Sequence, residues 1–234
     1  MRPLGWYVST LPMDAILQQR LKQWMSRQIT TTYETLWTQS CPFRPWNSYN
    51  HLNEETSHMV ETWVKHWSML GAEVQVHLAL VASEFWVHAG PRTRGLDLLT
   101  RVLQPELSDA AQCEVLMMHS VLYRTLQRFD ESKQWLQRAK VCAERLNHGP
   151  LLARVLSLQS MLHIVYGELD SADETLQAAV RAVTPDAYEE SNISGLFGFL
   201  RWQQRRLDDA KQLFRTSIDR RRMSAGGSQS VPPL

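Results

Sequence analysis

The segment RRLDDAKQLFRTSIDRR, Arg205–Arg221, repeats a pattern that has already occurred twice in the chain. The earlier copies are RFDESKQWLQRAK, Arg128–Lys140, and ELDSADETLQAAV, Glu168–Val180. Each copy contains a large apolar residue, an acidic neighbour, a small residue and then an apolar pair. Repetition at a fixed period indicates a fold built from similar units, so the shared positions decide the fold.

Two small residues, twelve positions apart, mark each unit. The first of each pair is Ser83, Ser120, Ser160 and Gly198, and the second is Gly95, Ser132, Ala172 and Ala210. The units follow one another at spacings of 37, 40 and 38 residues. The distance between the axes of two packed helices is usually roughly 8–10 Å, and it reaches the short end of this range where the side chains at the crossing are small. The pattern therefore predicts four helix hairpins that stack to bury their apolar faces.

This pattern resembles the tetratricopeptide repeat, a helix-turn-helix unit of about 34 residues with small residues at matching positions. Over about residues 72–222, the resemblance implies an all-α, right-handed α-solenoid of about four hairpins. The period here is a few residues longer. The aromatic residue usual in the first helix is kept as Trp86 and Tyr123, whereas His163 and Arg201 replace it later. The resemblance implies a surface that binds proteins and no catalysis.

A narrower resemblance involves residues 54–103, which include EETSHMVETWVKHWSMLGAE and LALVASEFWVHAGPRTRGLDLLTRVL. This stretch is similar to the one that opens the helical-repeat arm of bacterial signal-transduction ATPases, including transcription activators of the maltose-regulator type. In those proteins the arm senses an inducer or a partner and restrains an ATPase module. No ATPase motif and no recognisable DNA-binding helix-turn-helix occurs in this sequence. The resemblance therefore implies a detached sensor arm, a truncated product or a stand-alone scaffold, without ATP hydrolysis.

The resemblance to the tetratricopeptide repeat implies that the first helix of each unit lines a concave groove. Its mixed apolar and charged character is typical of a site for a peptide or protein partner. The predicted partner-binding residues, in chain order, are His77, Glu84, His88, Glu114, Met117, Arg124, Arg154, Met161, Asn192, Phe199 and Trp202.

Composition and local pattern divide the chain into four parts. Residues 1–12 form an N-terminal extension, and residues 13–71 carry helical apolar spacing and form an N-terminal cap or degenerate repeat. Residues 72–222 are the repeat domain, and residues 223–234, rich in Gly, Ser and Pro, are a flexible tail. With 234 residues and 44% hydrophobic content, the chain can bury a core without disulfides or metals.

Motifs for catalysis and cofactors are absent from the sequence. No glycine-rich phosphate loop, dinucleotide fingerprint, G-x-S-x-G or H-E-x-x-H occurs. The helical face Glu54, His58 and Glu61 is the best metal candidate, but weak surface pairing explains it better. We therefore predict no enzyme activity, no metal and no cofactor.

The three cysteines, Cys41, Cys113 and Cys142, are widely spaced and odd in number. This pattern indicates neither a disulfide framework nor a zinc site, and it favours a reduced, cytoplasmic protein. No apolar run reaches the roughly 20 residues that a membrane span needs, so we expect no membrane partner.

Basic residues concentrate near the C-terminus, although the net charge of the chain is only +1. Residues 201–222 contain eight basic and three acidic side chains, with Phe199 and Trp202 nearby. Aromatic side chains beside arginines are typical of surfaces that bind single-stranded nucleic acid. Nucleic-acid binding by this arginine-rich hairpin is therefore the alternative hypothesis. Arginines near a helix C-terminus also suit the helix dipole, which favours the protein-binding hypothesis.

Overall fold

A computed structural model describes residues 15–34, 54–104, 107–183 and 187–226. These residues form ten α-helices and one 3₁₀ turn, and no strand occurs among them, so the all-α prediction is confirmed. The predicted N-terminal extension and the tail residues 227–234 lie outside the described residues. The last helix runs to Gly226, past the predicted boundary at residue 222.

The described helices form two compact units, Met1–Gln104 and Pro105–Leu234. In the first, the helices are α1 (Ala15–Tyr33), α2 (Glu54–Lys65), α3 (Ala72–Ala89) and α4 (Arg92–Val102). Helix α3 contacts the other three helices. Its apolar sequence suits this central place, because it buries residues on several faces. Met25 and Ile29, one helical turn apart on α1, are fully buried.

The second unit consists of six helices. They are α5 (Asp109–Thr125), α6 (Phe129–Arg145), α7 (Gly149–Tyr166), α8 (Leu169–Ala182), α9 (Ala187–Gln203) and α10 (Leu207–Gly226). They pack as the hairpins α5/α6, α7/α8 and α9/α10, with α6 also against α7 and α8 against α9. Helix α7 contacts both α5 and α9, so the first helices of the three hairpins are neighbours.

The same turn closes each of these three hairpins. Residues with positive φ stand at Gln127 (60°), Gly167 (76°) and Arg205 (64°), and the intervals of 40 and 38 residues equal those between the small residues. Each following N–H donates to a carbonyl five residues earlier: Arg128 to Tyr123 at 2.9 Å, Glu168 to His163 at 2.8 Å and Arg206 to Arg201 at 2.9 Å. This is a Schellman motif, which satisfies the last carbonyls of one helix and reverses the chain.

Candidate functional site

The small residues that defined the repeat lie inside the hairpins. In α3 and α4, the Ser83 hydroxyl donates to the Gly95 carbonyl at 3.3 Å. In α5 and α6, the Ser120 and Ser132 hydroxyls are 2.9 Å apart, and Ser132 also reaches the Ser120 carbonyl at 2.8 Å. All eight positions are buried: Ser83, Gly95, Ser120, Ser132, Ser160, Ala172, Gly198 and Ala210.

Gly198 shows how closely the last hairpin packs. A Cβ atom at this position would come within 2.8 Å of the Phe214 ring, well inside van der Waals contact. Hydroxyl groups at the other crossings satisfy one another or a backbone carbonyl, so their burial leaves these donors paired. The small positions therefore contribute to close helix packing and offer no surface to a ligand.

The groove residues predicted on α3 are more enclosed than the sequence indicated. The His77 ring stacks on Tyr33 with centroids 3.9 Å apart, and its Nδ1 lies 3.5 Å from the Thr30 hydroxyl. Burial lowers the pKa of His77, and the nearby carboxylates of Glu73 and Glu34 oppose that shift. Helix α1 thus covers a side chain that we expected to line a groove.

Glu84 and His88 lie one helical turn apart on α3. Glu84 is only 4% exposed, and its Oε1 is 3.4 Å from Nε2 of His88. A carboxylate at this depth lacks the exposure that a partner-binding residue requires. The register placed Glu84 on the predicted face, but the periodicity of one helix does not reveal what packs over that face.

The second unit places most predicted groove residues at its surface. Met117 is the exception, because it is 7% exposed and belongs to the core. The partly exposed residues are Glu114 and Arg124 on α5, Arg154 and Met161 on α7, and Asn192 and Phe199 on α9. These helices are the first helices of their hairpins and contact one another in series.

Trp202, at the end of α9, is the most exposed aromatic residue among the predicted groove positions. Its side chain is 48% exposed, and its ring stacks on Phe199 with centroids 5.5 Å apart. An aromatic pair has a rigid apolar surface, and one edge of this pair faces water. Large aromatic side chains of this kind contribute much of the binding free energy in protein interfaces.

A buried histidine of α5 that stacks on a partly exposed tryptophan of α6 was not predicted. His119 is 1% exposed, stacks on Trp135 at 4.1 Å, and donates from Nδ1 to the Val115 carbonyl at 3.0 Å. The pKa of His119 is lowered to about 4, mainly by burial and to a smaller extent by Arg138, against the opposing effect of the hydrogen bond to Val115. The imidazole is therefore neutral at neutral pH, and its place in the core favours a packing role.

A small cavity opens between α6 and α7. Its volume is about 40 Å³, and Leu136, Leu162 and Tyr166 are among its lining residues. Pockets for small organic ligands usually enclose roughly 300–1,000 Å³. The cavity therefore has room for a few water molecules and not for a typical metabolite.

The predicted metal candidate is in part outside the described side chains, since that of Glu54 is not described. Glu61 accepts two hydrogen bonds from Arg94, at 2.7 and 2.8 Å, which link α2 to α4. Across residues 15–34, 54–104, 107–183 and 187–226, no three His, Cys, Asp or Glu side chains are grouped to hold a metal ion. Among the same residues, no helix has the length and hydropathy of a membrane span.

Several arginines of the basic C-terminal segment form ion pairs within the second unit. Such pairing occupies guanidinium groups that a phosphate backbone would need. The pairs are Arg201 with Asp173 at 2.6 Å, Arg206 with Asp209 at 2.6 Å and Arg220 with Glu190 at 3.3 Å. The side chains of Arg221 and Arg222 lie outside the description.

Comparisons of the chain with protein-family models, with curated proteins and with solved structures found no match. A functional conclusion therefore depends on the chemistry of the described residues. The most informative surface feature is the Phe199–Trp202 pair on α9, in which Phe199 is partly exposed and Trp202 is exposed. Helices α5 and α7 add the charged side chains of Glu114, Arg124 and Arg154.

Proposed function

We propose that this protein is a tetratricopeptide-like α-solenoid that binds a peptide segment or protein partner in a concave groove. The groove is formed by the first helices of the hairpins, and the protein acts as a non-catalytic scaffold or sensor arm. Two features of the second unit support this architecture. The first helices α5, α7 and α9 contact one another in series, and the hairpins share one turn at the interval of the sequence repeat.

The exposed aromatic pair on α9 carries the binding proposal. About half of the Trp202 side chain remains in water, although it stacks on Phe199 and lies in the last turn of α9, a helix with a buried apolar face. Apolar surface left exposed in this way is typical of interaction sites, because covering it removes it from water. Met161 on α7 is partly exposed too and extends the apolar character of the groove.

In this proposal, charged groove residues orient the bound partner. Arg124 and Arg154 lie on neighbouring first helices, and Glu114 lies on α5 with Arg124. Charges at an interface favour one register of the bound chain more than they increase total affinity. We expect the partner to combine an apolar or aromatic anchor for Trp202 with an acidic residue that approaches Arg124 or Arg154.

The stretch at residues 54–103 supports a role in bacterial signalling or transcriptional regulation, in the cytoplasm. There the arm would transmit the presence of its partner to another protein. Nothing in this role requires a cofactor, since a change in binding affinity is sufficient to couple one partner to another.

Affinity capture from a lysate of the source cells tests the proposal. The baits are the full chain, Trp202→Ala and the control Val141→Ala, which truncates a 55% exposed apolar side chain on the second helix α6. We expect one discrete protein with the full chain and with the control, resistant to nuclease and lost with Trp202→Ala. Arg154→Glu should weaken the same capture.

Two outcomes would contradict the proposal that a partner binds in the groove. Equal capture by Trp202→Ala and the full chain would show that the partner binds elsewhere. Material that disappears after nuclease treatment would instead favour nucleic-acid binding by the arginine-rich last hairpin, and its affinity should then fall steeply with salt. Circular dichroism and thermal unfolding of each bait separate lost binding from lost folding.

A further inference from the structure

The two described cysteines, far apart in sequence, meet across the α5/α6 hairpin. The Cys113 thiol on α5 contacts the Ala139 carbonyl on α6 at 3.6 Å. The Cys142 thiol on α6 contacts the Asp109 carbonyl on α5 at 3.2 Å. The nearby Cys142 thiol is also among the groups that raise the pKa of Cys113. Each cysteine therefore faces the helix that carries the other.

Cys113 and Cys142 lie at the same end of the α5/α6 hairpin. Cys113 lies in the second turn of α5 and Cys142 in the last turn of α6, so both lie at the open end of the hairpin. The turn at Gln127 joins the opposite end. An ion pair between Arg145 and Asp109, at 2.5 Å, also bridges the open end. A covalent bond here would fix both ends of one hairpin.

The two thiols have different surroundings. Cys113 is fully buried, and burial, together with the neighbouring Cys142 thiol, raises the pKa of Cys113 to about 12. Cys142 is 5% exposed, and Nη2 of Arg145 lies 3.9 Å from its sulfur. Because the Arg145 side chain is 60% exposed, this side of Cys142 borders the surface. Cys142 is therefore the less deeply buried of the two thiols.

We propose that Cys113 and Cys142 form a reversible disulfide that cross-links α5 to α6 when the protein meets a hydroperoxide. The Cys142 sulfur attacks the peroxide, an S–O bond forms, and the O–O bond breaks. With hydrogen peroxide, the second oxygen leaves as water with the thiol proton, and Cys142 becomes a sulfenic acid.

The Cys113 sulfur then attacks the sulfur of Cys142. The S–S bond forms as the S–O bond breaks, and the hydroxyl leaves as a second water molecule with the Cys113 proton. The two thiols together lose two electrons, which reduce one peroxide to two water molecules. A dithiol reductant reverses the reaction by thiol–disulfide exchange. No residue of the proposed partner groove forms or breaks a bond in this reaction, although the charges of Glu114 and Arg154 influence the pKa of Cys113.

The test oxidises the full-length protein with hydrogen peroxide and follows free thiols, intact mass and cysteine-containing peptides. We expect two of the three thiols to disappear, with a mass decrease of about 2 Da per chain, the two protons lost as the disulfide forms. Peptide mapping should recover a Cys113–Cys142 link that dithiothreitol removes. The midpoint of thermal unfolding should rise on oxidation, because the link restricts the unfolded chain.

Single variants establish the order of attack. In Cys113→Ser, peroxide should leave a sulfenic acid at Cys142 that dimedone traps, whereas Cys142→Ser should give no labelled Cys113. Oxidation of Cys142 to sulfinic acid in the full-length chain, with Cys113 still free, would overturn the proposal. Links that involve Cys41 or join two chains, in place of the Cys113–Cys142 link, would overturn it too. The Cys41→Ser variant, which keeps both thiols of the pair, should behave like the unsubstituted chain.

Discussion

The neutral, buried His119 makes stability depend on pH in a direction that can be worked out from its surroundings. Its pKa is about 4 in the folded protein and about 6.5 in the unfolded chain. Between these values the unfolded chain binds the proton more tightly, so lowering the pH stabilises the unfolded state. The contribution of the neutral ring is fully present above about pH 6.5 and is lost as the pH falls toward 4.

Linkage gives the size of this effect. Between about pH 7.5 and about pH 5, the tighter proton binding of the unfolded chain lowers the free energy of unfolding by about 2 kcal/mol, which corresponds to about 1.5 pKa units. We compare urea unfolding of the natural chain with that of His119→Gln, which cannot titrate. Other groups titrate in both proteins, so the difference between their pH dependences isolates His119. We expect the natural chain to lose about 2 kcal/mol more than the variant.

Equal pH dependences in the two proteins would refute the buried, neutral imidazole. That outcome would mean that His119 is protonated as easily in the folded protein as in the unfolded chain. The stacked contact with Trp135 and the hydrogen bond to Val115 would then not isolate the ring from water. An NMR titration of the ring would decide the point directly, since we expect no change in its signals until the pH is well below 6.5.

Four further variants test the packing and the turns. Gly149→Ala should lower the free energy of unfolding by about 1–3 kcal/mol, because the added Cβ would lie 2.5 Å from the Ala182 carbonyl; chemical denaturation measures this, and an unchanged value would refute the contact. Gly167→Ala and Arg205→Gly should change stability in opposite directions by about 1 kcal/mol, since both positions have positive φ; a shift of the same sign in both would contradict the shared turn. Trp202→Ala should cost only about 1 kcal/mol, because half of the ring is already in water; a collapse in the thermal midpoint would show that Trp202 belongs to the core and that the groove register is wrong.

Local features of the fold could be predicted because they depend on residues close in sequence. Ser120 and Ser132 belong to one hairpin, so the interval between them carries the information that brings their hydroxyls to 2.9 Å. The packing of α1 against His77 could not be predicted from the spacing of nearby residues, since Tyr33 and Thr30 come from a helix more than 40 residues earlier. An apolar stripe shows that a face is covered, but it does not identify the covering element.

The cysteine pair was missed although its signal was present in the repeat register. Ala139 lies seven residues after Ser132, and Cys113 lies seven residues before Ser120. In an antiparallel hairpin centred on the two serines, these positions are opposite each other, and their contact is observed at 3.6 Å. Cys142 follows Ala139 by one helical turn. Counting outward from the crossing in both directions would therefore have placed the two thiols together.

The contacts described within the second unit join helices that are adjacent or next but one along the chain. Such contacts close short stretches of chain, which favours rapid folding from any hairpin. The same arrangement determines how the unit responds to tension. A force applied between its two ends would remove the hairpins one after another, because the contacts described join neighbouring hairpins and the loss of an end hairpin leaves the others packed. Under load the unit would therefore lengthen in steps of one hairpin.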